Sequence, residues 1–302
     1  MNNSKEFVEE LKKIIKKIIE KISWLPYETI NRRMCRQTKI VEVNNWNFFN
    51  PIRFHMELIE DDDFHSLTRN LQAYKMREPR YSREYINFIE DKDVVLDVGA
   101  NIGFFTILSN DAKKIIAIEP VKRCIPILKN NIYINDMKNV EILNVALGNG
   151  DQLYIEETKA VNLSKIVNKK GKNTKEINSY TLDYFVKMYN INFVKIDAEG
   201  YEYEIFGKGK IPKEINKISM EFHTGLMGKE KSEAIINNFY DNGFYVSKMI
   251  EDLPLRLYPF MKLLTHPMTW IKKDLTIGQT LKHLFKGRSV RYLQLKRRIK
   301  NE

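Results

Sequence analysis

The sequence predicts an α/β fold, Rossmann-like, with a mostly parallel central sheet and helices on both faces. Two short apolar runs, Val94-Val95-Leu96 and Ile115-Ile116-Ala117-Ile118, have the pattern of strands buried on both sides. Between them lie a turn rich in Gly and Asn and a dense apolar stretch from Ile102 to Leu108, which makes a compact βαβ unit. Runs of the same kind recur at Val140 to Val145, Phe193 to Ile196 and Ile218 to Phe222, with helical patterns among them.

In chain order, Lys5 to Trp24 predicts a helix. Phe7, Val8, Leu11, Ile14, Ile15, Ile18, Ile19 and Ile22 form an apolar stripe opposite a lysine-rich face, with Asn3 or Ser4 as cap and Pro26 as stop. Charges interrupt each of its apolar stretches, which argues against a secretory signal. Lys39 to Val43 reads as a strand, and Tyr81 to Glu90 as a helix whose Glu84 is expected to reach the cofactor rim. Lys122 to Asn135 reads as a helix with Ile125, Leu128 and Ile132 inward. Leu153 to Ile155 predicts an antiparallel strand, and Thr158 to Ser179 a polar segment tipped by Lys169-Lys170-Gly171-Lys172, either a flap over the acceptor or a surface hairpin. Glu230 to Asn242 is helical in pattern, Gly243 to Ser247 reads as an edge strand, and Thr276 to Ile299 as a basic helix interrupted near Gly287. Three segments follow: 1–80, an amphipathic helix and small extension; 81–250, the α/β domain; and 251–302, a basic extension.

Composition bounds the partners. The net charge is +11, of which residues 1–40 carry +5 and 254–302 carry +10, so the middle is acidic at −4. Basic amphipathic ends suit peripheral contact with an anionic membrane, and packing of the first helix on the protein's own body is the competing account. No run approaches the roughly 18 apolar residues of a membrane span. Cys35 and Cys124 are isolated, which favours a reducing, cytoplasmic setting and an inert buried Cys124. The acidic group Glu60-Asp61-Asp62-Asp63 reads as solvated rather than metal-binding.

Asp97, Gly99, Gly103 and Glu119 fall at the carboxyl ends of the first two strands, where such folds bind ligands. The loop Gly99-Ala100-Asn101-Ile102-Gly103 lacks the middle glycine of a dinucleotide fingerprint. Asp97 would repel a pyrophosphate and attract an ammonium or sulfonium group, so S-adenosylmethionine, with both cations and no phosphate, is the expected ligand. Glu119 suits two adjacent ribose hydroxyls. Further on, alternation puts Lys195 and Asp197 on one side of a strand, and Glu221 and His223 on one side of the next.

Asp97-Val98-Gly99-Ala100-Asn101-Ile102-Gly103, Ala117-Ile118-Glu119-Pro120, Asn144-Val145-Ala146-Leu147-Gly148, Thr181-Leu182-Asp183, Lys195-Ile196-Asp197-Ala198-Glu199-Gly200-Tyr201-Glu202 and Met220-Glu221-Phe222-His223 together resemble the FkbM-type S-adenosylmethionine-dependent methyltransferases, across about residues 81 to 248. The resemblance implies a class I methyltransferase fold and methyl transfer to a hydroxyl of a sugar, glycan, lipid-linked acceptor or secondary metabolite. It places Asn144 or the Ala146 backbone at the adenine, beside the loop residues and Pro120. Methyl transfer then needs alignment and removal of one proton. His223 has the intrinsic pKa of a base, Asp197 and Glu199 compete for that role or orient hydroxyls, and Lys195 neutralises carboxylates. A divalent ion on Asp197, Glu199 and Glu221 is an alternative that ranks below the metal-free reading. Nucleic-acid methylation is the rival activity, disfavoured because Asp197-Ala198-Glu199-Gly200 stands where base-amine methyltransferases carry a proline-rich loop. A silent membrane- or partner-binding module is the rival from another class.

Overall fold

The computed structural model describes residues 40–45, 52–58, 71, 77–158, 164–251, 271–285 and 291–298. The amphipathic helix expected at Lys5 to Trp24 and the acidic group at residues 60–63 lie outside them. The described strands and helices are, in order, β1 (Ile40–Asn45), β2 (Ile52–Glu57), α1 (Pro79–Ile86), β3 (Val94–Val98), α2 (Phe104–Leu108), β4 (Lys114–Ile118), α3 (Cys124–Ile134), β5 (Val140–Leu143), β6 (Ala146–Leu147), β7 (Leu153–Glu156), β8 (Lys165–Val167), β9 (Thr174–Ile177) and β10 (Ser179–Tyr180). They continue as α4 (Leu182–Tyr189), β11 (Phe193–Ile196), α5 (Glu202–Phe206), β12 (Lys217–Phe222), α6 (Thr224–Met227), α7 (Lys229–Asp241), β13 (Phe244–Glu251), β14 (Ile271–Leu275), α8 (Ile277–Leu284) and β15 (Arg291–Arg297).

Eight strands form the central sheet in the order β5-β4-β3-β11-β12-β15-β13-β14. The five from β5 to β12 pair in parallel, and the remaining pairings are antiparallel. Strand order reverses between β3 and β11, so the carboxyl ends of these two neighbours open the crevice in which ligands of such sheets bind. Alternation along β3 sends Val95 into a core with Tyr85 of α1, Phe105 of α2 and Leu128 of α3. Leu96 and Val98 enter the opposite core with Phe185 of α4, Phe206 of α5 and Ile236 of α7. Helices therefore cover both faces, as the continuous apolar runs predict.

The chain after Glu251 departs from expectation. Among the described residues of 276–299, Ile277–Leu284 is helical as α8, whereas Arg291–Arg297 is a strand inserted between β12 and β13. Tyr292, Leu293, Gln294 and Leu295 are all buried, the signature of a strand covered on both faces. Gln294 Nε2 donates to the Glu84 carbonyl at 2.8 Å, which fixes α1 on the sheet. β13 is consequently interior rather than an edge, flanked by β15 and β14. Beside the main sheet, β8 and β9 both pair with β7, so the lysine-rich segment is part of a three-stranded sheet. Among the described residues no helix is long and apolar enough to cross a membrane.

Candidate active site

The loop after β3 is shaped by backbone. Gly99 has φ +73°, and a Cβ there would stand 2.1 Å from the Asp197 carbonyl oxygen, so only glycine lets the ends of β3 and β11 approach. The Gly99 and Ala100 amides both donate to the Ile118 carbonyl at 3.1 Å, which ties the loop to the end of β4. Asn101, at φ 52°, turns the chain, and its amide donates to Glu119 Oε2 at 2.7 Å. Val121 donates to Glu119 Oε1 at the same distance. Burial nevertheless pushes the Glu119 carboxyl up to about 7, against the pull of these two amides.

A cavity of about 270 Å³ opens beyond this loop. At one end are Gly99, Ala100, Asn101, Glu119, Pro120 and the apolar wall Val145, Ala146 and Leu147. At the other are Lys195, Asp197, Glu199 and Glu221. Asp97 lies one layer behind the wall, fully buried, with Oδ2 accepting from Thr106 Oγ1 at 2.6 Å and Oδ1 3.2 Å from Lys195 Nζ. Asp97 and Lys195 are direct partners across the β3–β11 register, which accounts for the ion pair. The expected bare carboxylate at the strand end is therefore already neutralised. Gly103, at φ +94°, is the N-cap of α2 and packs against Leu128, away from the cavity wall. Asn144 Nδ2 donates to the Glu119 and Pro120 carbonyls at 2.8 and 3.0 Å, and the Ala146 amide donates to Asn178 O at 2.9 Å. These two groups thus shape this end of the cavity through the chain. Glu84, expected at the rim, instead pairs with Lys248 at 2.7 Å.

The far end gathers charge. His223 follows β12 and its side chain is only 10% exposed. Nδ1 donates to Glu202 Oε1 at 2.7 Å, and Glu202 is fully buried at the start of α5. Nε2 stands 3.6 Å from Glu221, 3.7 Å from Glu199 and 3.9 Å from Asp197. Burial alone would lower the imidazole's pKa, but Glu202, Glu221 and Asp197 outweigh it and raise it to about 12. These carboxylates favour the protonated ring wherever no other cation takes the proton's place. Burial works against the ionised Asp197 carboxyl, yet Lys195, His223 and Arg77 together hold it below the usual carboxylate range. Glu199 is pushed up to about 7 by burial and by the Asp197 charge, and Glu221 upwards for the same reasons. Glu199 itself sits at φ 48°, and Gly200 at φ +97° completes a turn whose Cβ would press on Leu226.

Other lining residues come from outside the motifs. Arg77 and Glu78 precede α1, with Arg77 Nε 3.0 Å from Glu78 Oε1 and Nη2 3.9 Å from Asp197 Oδ2. Tyr292 of β15 also faces the cavity and stacks on Tyr81 with ring centroids 3.9 Å apart. Neither has a local sequence signal. Glu202 does, as the last acid of Asp197-Ala198-Glu199-Gly200-Tyr201-Glu202, and its place beneath His223 follows from α5 starting there.

The profile of the methyltransferase FkbM domain matches residues 97–248. The hexuronic acid methyltransferase AglP of Haloferax volcanii is 24% identical over 234 residues, covering 74% of this chain and 88% of that protein. Among solved structures, the precorrin-6y C5,15-methyltransferase of Geobacter metallireducens GS-15 has a TM-score of 0.40 at 11% identity, over 78% of this chain and 97% of that one. M. jannaschii TYW2, in complex with AdoMet, has a TM-score of 0.39 at 12% identity, over 86% and 89%.

Proposed function

The chain belongs to the FkbM methyltransferase domain family, and from that premise we propose that it is an S-adenosylmethionine-dependent O-methyltransferase acting on a hydroxyl of a sugar or glycan. The observation that carries this reading is the single cavity with a glycine loop and Glu119 at one end and Asp197, Glu199 and Glu221 at the other. The lining fits a sulfonium nucleoside better than a dinucleotide: Glu78, Glu119, Asp197, Glu199 and Glu221 outnumber Arg77 and Lys195. The same excess of carboxylates disfavours a nucleic-acid backbone at the acceptor end. The likeness to a hexuronic acid methyltransferase supports a sugar acceptor.

When bound, S-adenosylmethionine supplies a methyl group activated by its sulfonium. The chain's own residues do the rest. Glu119, fixed by two amides, keeps lone pairs for ribose hydroxyls. Val145, Ala146 and Leu147 offer an apolar surface for a base. Asp197 and Glu221 accept hydrogen bonds from acceptor hydroxyls and align the reacting oxygen. His223 stands behind them, with Nε2 3.9 Å from Asp197. Glu199, the most exposed of the carboxylates around His223 at 30%, takes the proton that the hydroxyl loses. Calorimetry with S-adenosylmethionine, S-adenosylhomocysteine and NAD tests the donor, and transfer of labelled methyl to hexuronic-acid glycans tests the acceptor. Binding of the first two ligands but not the third is expected. A folded protein that binds neither sulfur nucleoside would defeat the reading in favour of a silent module.

A further inference from the structure

Around His223 the donors are spaced for something larger than a hydrogen bond. Its Nε2 lies 3.6 to 3.9 Å from one oxygen each of Glu221, Glu199 and Asp197, beyond hydrogen-bond reach. Donors that share a first-row ion at roughly 2.0–2.2 Å stand about 3–3.5 Å from one another, so this set is an ion-sized hole, slightly open. One ligand atom from each of Asp197, Glu221 and His223 falls within 4.8 Å of the others.

Two independent features point the same way. Asp197 Oδ1, the atom facing Nε2, is buried and lacks a hydrogen-bond partner. The cationic side chains near Asp197 give this atom no hydrogen bond, and a directly coordinated ion would meet it. On the other side of the ring, Nδ1 is held by the fully buried Glu202. With Nδ1–H held by a carboxylate, a divalent ion can replace the proton on Nε2, the support that metal-bound imidazoles receive.

We infer that Asp197, Glu221 and His223 form a divalent-cation site at the acceptor end of the cavity, with Glu202 as the positioning residue behind the imidazole. One nitrogen and two or more carboxylate oxygens suit a first-row ion such as Mn²⁺ better than Mg²⁺, which keeps to oxygen. Asp197 and Glu221 line the cavity, so the ion faces the acceptor. If the methyl-transfer reading holds, the ion lowers the pKa of the acceptor hydroxyl and leaves Glu199 to take the proton.

The test is titration of the chelator-treated full chain with MnCl₂, followed by electron paramagnetic resonance and calorimetry with no donor or acceptor present. One Mn²⁺ per chain is expected, weakened at least tenfold in Glu221→Gln, His223→Gln and Glu202→Gln. Nitrogen coupling in the bound Mn²⁺ spectrum should be present in the wild type and absent in His223→Gln. Absence of saturable binding by the wild type overturns the site, as does unchanged affinity in Glu221→Gln and His223→Gln. Glu221→Gln keeps the side-chain volume and carries the comparison should His223→Gln fail to fold. Because no donor is in the assay, its failure leaves the methyl-transfer reading standing, and failed S-adenosylmethionine binding leaves the ion site standing.

Discussion

At the end of the cavity proposed for the donor the protein presents mainly backbone: the amides of Gly99 and Ala100 are spent on Ile118, those of Asn101 and Val121 on Glu119, and the facing wall is apolar. The acceptor end presents charge, with Asp197, Glu199, Glu202 and Glu221 around one imidazole and Arg77 alongside. Most of the donor end comes from residues 97–121 of one βαβ unit, whereas the acceptor end draws on β11, the turn after it, α5, β12 and the segment before α1. Recognition by shape can be local. An arrangement of like charges has to be assembled from several strands, because only a rigid frame holds mutually repelling groups together.

If the two ends are separable, Glu199→Gln gives the largest effect. Turnover should fall about 10²- to 10⁴-fold through loss of the proton acceptor, with S-adenosylmethionine affinity within a factor of about two in calorimetry. A parallel loss of donor affinity would show that the ends act as one. Gly99→Ala probes the point where they touch. Its Cβ would drive into the Asp197 carbonyl, rigid backbone, at a residue already at φ +73°. Urea denaturation should show a loss of about 3 kcal/mol, the sum of overpacking and left-handed strain, and donor binding should disappear with it.

Glu119 sharpens the contrast through pH. Burial raises its folded pKa to about 7 from an ordinary 4.5, so the folded state binds the proton more tightly. The resulting stability is fully present below about pH 4.5 and is lost as pH rises through 7, at most about 3 kcal/mol in all. Glu119→Gln removes this slope, although its amide leaves one of the two backbone donors facing an NH₂ group. Thermal melts from pH 4.5 to 8 should therefore show the wild type losing ground steadily against the variant. A constant difference across that range would mean that Glu119 carries no buried charge.

The same contrast explains what could be read from the chain. β3, β4 and the loop between them were legible because each is a continuous apolar run or a glycine turn, and the period of two places Glu221 and His223 on one side, where His223 Nε2 stands 3.6 Å from Glu221. Pairings between distant strands were not legible. Asp97 and Lys195 are both plain in the sequence, but their ion pair exists only because β3 and β11 are neighbours in register. Arg77 and Tyr292 reach the cavity through tertiary packing alone. β15 mimics a helix because its apolar residues Tyr292, Leu293 and Leu295 fit either period over so short a run. The raised pKa of His223 was not legible either, because Glu202, Glu221 and Asp197 meet its ring only through tertiary packing.

The smallest effect belongs to Asn144, which shapes the donor end through carbonyls. Its side-chain amide holds the Glu119 and Pro120 carbonyl oxygens at 2.8 and 3.0 Å, and with them the bend that aims the Glu119 carboxylate. Asn144→Ala releases two partly buried hydrogen bonds, worth about 1–2 kcal/mol together. Donor affinity should weaken by roughly three- to tenfold, since 1.4 kcal/mol is a factor of ten. Turnover at saturating donor should stay near the wild-type value, because the acceptor end is built on other strands. Initial-rate kinetics over a range of donor concentrations separate the two quantities. A fall in turnover with affinity preserved would transfer Asn144 to the catalytic end and break the division of the cavity into a shaped half and a charged half.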